Sequence, residues 1–219
     1  MTDRHARQPV RTAGAPLAEA AGAVVLVHGR GASAESILGL VDELGCPDWS
    51  YLAPQAADWT WYPHSFMAPI EANEPKLSSA LRALGSIVEQ IEATGLDRKQ
   101  IVLAGFSQGA CLTAEFAARH AGRWGGVVVL AGGLIGPEGT PRDYAGRFEG
   151  MPVFLGCADN DPHIPLARVN ETADVFTRMG ADVDPRIYPG LGHTVNADEL
   201  DAFRAMLDRA EARNSRALD

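Results

Sequence analysis

A chain of 219 residues, 46% hydrophobic and 21% charged, suits one domain with a sizeable core. A formal net charge of −9 without a dense Lys/Arg cluster argues against a nucleic-acid partner, because such a surface repels phosphate backbones. The three widely spaced cysteines, Cys46, Cys111 and Cys157, outline neither a disulfide framework nor a zinc cluster and fit reduced thiols in a soluble cytoplasmic protein.

Residues 1–21 carry Arg4, Arg7 and Arg11 but no continuous apolar run, so they read as a flexible extension and not as a secretory signal. The first strand is expected at AVVLVH (23–28), running into a Gly-rich turn, HGRGAS (28–33). SYLAP (50–54) reads as a further strand. It precedes a Pro-broken segment, residues 56–76, crowded with Trp59, Trp61, Tyr62, Phe66 and Met67. Leu77, Leu81, Leu84, Val88 and Ile91 recur at helical spacing over 77–94, and Gly95 is a natural stop. IVLAGF (101–106) predicts a strand, and QGACLTAEFAARH after it a helix.

Strands follow at GVVVLAG (126–132) and PVFLGCA (152–158), then a helix over 166–179 and a strand at VDPRIYP (183–189). The last helix begins near Asn196, with Glu199 placed as in a capping box. The most apolar of these runs read as strands buried on both faces, but none is long enough to cross a bilayer. Their alternation with amphipathic helices predicts an α/β fold. Its mostly parallel central sheet carries helices on both faces, with functional loops at the carboxyl ends of the strands.

Those loops hold the chemistry. Gly105, Ser107 and Gly109 form G-x-S-x-G between a strand and a helix, where a sharp turn can present a serine and only glycines avoid collision across it. A serine hydroxyl needs a base. Of the histidines that follow, His120 falls at a helix carboxyl end, where a cation is welcome for structural reasons. His193 sits in PGLGH (189–193), between a strand and the last helix, and is the candidate base. The acid belongs in CADNDPHIP, where Asp159 and Asp161 both qualify on spacing. Backbone amides of Gln108, directly after the serine, and of Arg30, between Gly29 and Gly31, are placed to bind a developing oxyanion. HGRGAS lacks the Lys-Ser/Thr of a phosphate-binding P-loop.

Four pieces together, HGRGA, GFSQGA, DPHIP and GLGH, resemble the phospholipase/carboxylesterase family of the α/β-hydrolase superfamily, which includes bacterial carboxylesterases and acyl-protein thioesterases. The resemblance covers about residues 22–210. It implies an α/β-hydrolase domain over 22–212, flanked by the extension 1–21 and a C-terminal tail 213–219. It selects Asp161, which precedes a proline in a D-P-x-x-P context, and implies a Ser107–Asp161–His193 triad with Arg30 and Gln108 amides as oxyanion donors. It implies acyl transfer to water through an acyl-serine, with no metal or organic cofactor, and it favours a homodimer.

The expected activity is a serine carboxylesterase acting on small to medium acyl esters. The alternatives are an acyl-protein thioesterase or lysophospholipase-like hydrolase, a lactone or C–C bond hydrolase using the same serine, and a binding protein that keeps the scaffold without catalysis. Only about twenty residues separate the strands at 126–132 and 152–158, so no large cap domain fits there. The site is then open, any lid comes from 56–76, and no stable membrane association is needed. Trp61 and Phe66 of that segment are the residues expected to touch substrate.

Overall fold

The structure is a computed structural model that describes residues 3–215, with side chains through residue 213. Its centre is a seven-stranded sheet in the order β1-β3-β2-β4-β5-β6-β7. The strands are β1 (Val10–Gly14), β2 (Gly22–Val27), β3 (Trp49–Pro54), β4 (Ile101–Phe106), β5 (Gly126–Leu130), β6 (Pro152–Ala158) and β7 (Asp182–Tyr188). All neighbours pair in parallel except β1, which runs antiparallel to β3.

Continuous apolar runs build the middle of the sheet because both faces are covered. Val25 and Val27 of β2 face a core shared with α3 (Lys76–Glu92), α4 (Gln108–Arg119) and α5 (Leu166–Arg178). Val24 and Leu26 face the opposite core, made with the short helices α1 (Ala34–Leu38) and α2 (Leu40–Leu44) and with α6 (Ala197–Ser215). The period-two alternation of a strand thus divides one apolar run between two cores. Asn196 and Glu199 close the capping box of α6. The Asn196 amide donates to Glu199 Oε2 at 2.9 Å, and the Glu199 amide donates to Asn196 Oδ1 at 3.0 Å.

The expected flexible extension over 1–21 is, from residue 3 onward, part of the fold. β1 hydrogen-bonds along β3, and His5 is buried, with its backbone N–H donating to Ser79 Oγ. Asp3 bonds the same Ser79 hydroxyl and pairs with Arg82 of α3. β1 escaped the sequence reading because it is an edge strand with a largely exposed face, so it has no apolar run to betray it. At the other end α6 continues to Ser215, three residues into the expected tail, and residues 216–219 of that tail lie outside the described residues.

The chain leaves β2 toward β3 on one side and leaves β4 toward β5 on the other. Loops diverge there and open a crevice at the carboxyl ends of β2 and β4, the topological switch point at which open α/β sheets bind ligands. The 21 residues between β5 and β6 carry no helix or strand, so no cap covers the crevice from that side.

Candidate active site

Ser107 follows β4 directly and stands at φ 56°, ψ −121°, a conformation that L-residues rarely adopt. The turn closes because its flanks are bare. A Cβ on Gly109 would lie 2.2 Å from the Val27 carbonyl oxygen, and one on Gly105 would lie 2.6 Å from the Gly109 carbonyl. The Ser107 amide donates to Leu130 O at 2.9 Å, and Ser107 O accepts the Cys111 amide at 3.0 Å, so strand and helix both hold the strained residue.

His193 reaches the serine from the loop between β7 and α6. Its Nε2 lies 2.8 Å from Ser107 Oγ, and its Nδ1 lies 2.6 Å from Asp161 Oδ2. A carboxylate only accepts, so Nδ1 carries the proton and the lone pair of Nε2 faces the hydroxyl. Asp161 has no side-chain exposure, and its Oδ1 accepts the amides of His163 at 2.8 Å and Ile164 at 3.0 Å. These bonds leave Oδ2 of the buried carboxylate to the imidazole.

The two aspartates left open by spacing have separate places. Asp159 is exposed and accepts the Gly190 amide at 3.0 Å, tying down the loop that carries His193. Asp161 bonds His193 itself. His120 is stacked on Phe116 with its Nδ1 3.0 Å from the Phe116 carbonyl, at the carboxyl end of α4 and away from the serine.

A cavity of about 550 Å³ opens beside Ser107. Gly29, Arg30 and Ala32 border it on the β2 side, Tyr62 to Phe66 form one wall, and His163 and Ile164 form part of another. Gln108 opens α4, where amide hydrogens have no partner within the helix, so its N–H is free to meet an anionic oxygen. Gly29 lies beside the elbow: a Cβ there would stand 3.4 Å from Ser107 Cβ, in ordinary contact. Arg30, the next residue, borders the same cavity.

Phe66 lines the cavity as expected, and Trp61 does not. Trp61 is fully buried behind the wall, its ring 5.4 Å from that of His5 and 5.0 Å from that of His28, and its indole N–H donates to His28 O at 2.8 Å. Its role is to back the wall. Tyr62, one of the aromatic group of 56–76 expected to wall the pocket, lines it too, whereas His64, His163 and Ile164 were not foreseen. Only the adjacency of His64 to Phe66, and of His163 and Ile164 to Asp161, could have suggested them.

Cys111 borders the cavity floor although it is fully buried, and burial pushes its thiol up to about 12, which keeps it protonated. Among the described residues, no group of three or more His, Cys, Asp or Glu is placed to hold a metal ion, and no helix is long and apolar enough to cross a membrane.

The sequence model of the phospholipase/carboxylesterase family matches residues 12–210. A crystal structure of a phospholipase/carboxylesterase from Dyadobacter fermentans is 42% identical, with a TM-score of 0.88 over 91% of this chain and 96% of that one. The Bacillus cereus carboxylesterase is 20% identical with a TM-score of 0.72 over 94% and 95% of the two chains, a likeness of fold. Acyl-protein thioesterase 1 of Kluyveromyces lactis is 27% identical over 137 residues, 61% of this chain and 60% of that protein. The chain thus spans under two thirds of the length of the first curated relatives it matches.

Proposed function

The chain belongs to the phospholipase/carboxylesterase family, and on that premise we propose that it is a serine esterase hydrolysing small to medium carboxylic esters through an acyl-serine intermediate. The observation that carries this reading is the unbroken hydrogen-bonded line from Ser107 Oγ through His193 to the buried Asp161 carboxylate. His193 Nε2 takes the serine proton as Oγ attacks the ester carbonyl, and then delivers it to the departing alkoxide. Asp161 holds the ring in the required tautomer and stabilises the imidazolium. The amides of Arg30 and Gln108 receive the oxyanion. Water, deprotonated by the same histidine, then releases the acid.

Hydrolysis of p-nitrophenyl butyrate by the wild type and by a folded Ser107→Ala variant tests this. The variant should lose about a thousandfold or more of the wild-type rate. Equal, slow rates in both proteins, with no fluorophosphonate labelling of Ser107, would make the scaffold a binder.

Curated relatives named acyl-protein thioesterase favour a second reading, thioester cleavage by the same groups. A matched pair of oxygen ester and thioester, each in short and long acyl versions, separates the two by their kcat/KM.

A further inference from the structure

Two residues offered for the oxyanion site also hold the pocket wall, each with its side chain. The Arg30 guanidinium donates from Nη2 to Tyr62 O at 3.0 Å and His64 O at 2.6 Å, and from Nη1 to Pro63 O at 3.0 Å. The same guanidinium lies over the Tyr62 ring, 6.0 Å from its centroid. Gln108 grips the same segment from the other side. Its Nε2 donates to Tyr62 O at 2.8 Å, and its Oε1 accepts the Trp61 amide at 3.0 Å, with Thr60 Oγ1 at 3.2–3.3 Å completing the set. A further link closes the frame: the Gly31 amide donates to Trp59 O at 2.8 Å.

We propose that the Arg30 and Gln108 side chains are positioning residues that set the oxyanion amides and the 59–64 wall as one rigid unit. This rests on the esterase reading above and deepens it. The Gly29–Arg30 peptide is oriented from its carbonyl side, where Gly29 O lies 2.7 Å from His28 Nδ1 and accepts the Ala32 amide at 3.2 Å, and the turn continues through Gly31 at φ +75°. A planar guanidinium bonded to three successive carbonyls ties that turn to the wall, as a lysine ammonium cannot. On the other side, Gln108 directly follows the strained Ser107 and opens α4, so the residue that carries the amide also grips the wall with its side chain. Amides aimed at the oxyanion act mainly in the transition state, so loosening them lowers kcat more than it raises KM. The wall is fixed by the same bonds and is not a lid.

The test uses Arg30→Lys, Gln108→Glu and Thr60→Val, with active sites counted by end-point fluorophosphonate labelling of Ser107. Arg30→Lys keeps the charge and loses the fork. Gln108→Glu replaces the donor to Tyr62 O with a carboxylate. For short esters both should lose about tenfold or more in kcat, with KM changed less than about threefold. Affinity for a trifluoromethyl ketone, which forms a tetrahedral serine adduct, should fall in the same proportion.

A raised KM at wild-type kcat, or no change in either, would overturn the proposal and leave the esterase reading standing. Should the first two variants fail to fold, Thr60→Val decides. A smaller loss of kcat at constant KM supports the coupling, and wild-type kinetics refute it. A wild type that neither labels at Ser107 nor turns over would instead remove the esterase reading itself.

Discussion

Ser107 and Glu199 are both held in states that free residues avoid, one in its backbone and one in its charge. The serine's strain is offset by the packing that Gly105 and Gly109 permit. Glu199 is buried at the start of α6, and desolvation raises its carboxyl from an ordinary 4.5 to about 7, against the opposing bond from the Asn196 amide. The folded state therefore holds this proton more tightly than the unfolded chain. Its stabilising effect is complete below about pH 4.5 and is lost as pH rises through about 7. Glu199→Gln retains an oxygen for the Asn196 amide and removes the charge. It should raise stability at pH 8 by the order of 1–3 kcal/mol and by much less at pH 5. Urea midpoints at the two pH values check this, and an equal gain at both would contradict it. The capping box itself was readable from two letters three apart, whereas burial of its carboxylate depends on how α6 meets β6.

At the scale of elements, the segment before β2 matters more than its composition suggests. His5 accepts the Ala57 amide on Nδ1 at 3.1 Å, and its Nε2 lies 3.1 Å from Trp61 O, so the ring is neutral and spans the base of the wall. His28 does the same from β2, accepting the Ala56 amide on Nε2 at 3.1 Å. Burial depresses the pKa of both histidines. Their neutral bonds thus stabilise the fold above the ordinary histidine range, and this contribution is lost as pH falls through it toward the folded values.

His5→Ala leaves the Ala57 amide without its acceptor and should cost about 1–3 kcal/mol at pH 7.5. The gap to wild type should narrow at pH 5, because alanine escapes the protonation penalty. Denaturant titration at both pH values decides this, and a gap that widens on acidification would count against a buried neutral His5. None of this was legible in residues 1–21, where arginines and an exposed edge strand mask the ordered pieces. The helices and inner strands were legible to within a few residues, because their apolar spacing is a local property.

For the whole molecule, the sheet order decides access. The crevice at the β2/β4 switch point is walled by 62–66 and left uncovered between β5 and β6, giving an open cavity of about 550 Å³ that suits dissolved esters on the proposed reading. Butyrate and similar short esters should therefore saturate the enzyme as monomers. Rates on longer p-nitrophenyl esters should show no jump at the concentration where the ester aggregates. A rate that appears only above that threshold would mean that an interface takes part.

The sequence by itself determined the alternation of strands and helices, the elbow around Ser107, the loop of His193 and the candidate amides of Arg30 and Gln108. Each of these is carried by residues close together in the chain, where sterics and periodicity act. Spacing alone could not divide the work of Asp159 and Asp161, which meet the same loop at different groups, one at the Gly190 amide and the other at the His193 ring. Tertiary structure also decided that Trp61 backs the wall, because a ring flanked by His5 and His28 is defined by contacts 56 and 33 residues away. It decided, too, that the Arg30 and Gln108 side chains converge on one segment. Which hydrogen-bond partners a side chain finds is a property of assembled loops, and no local pattern encodes it.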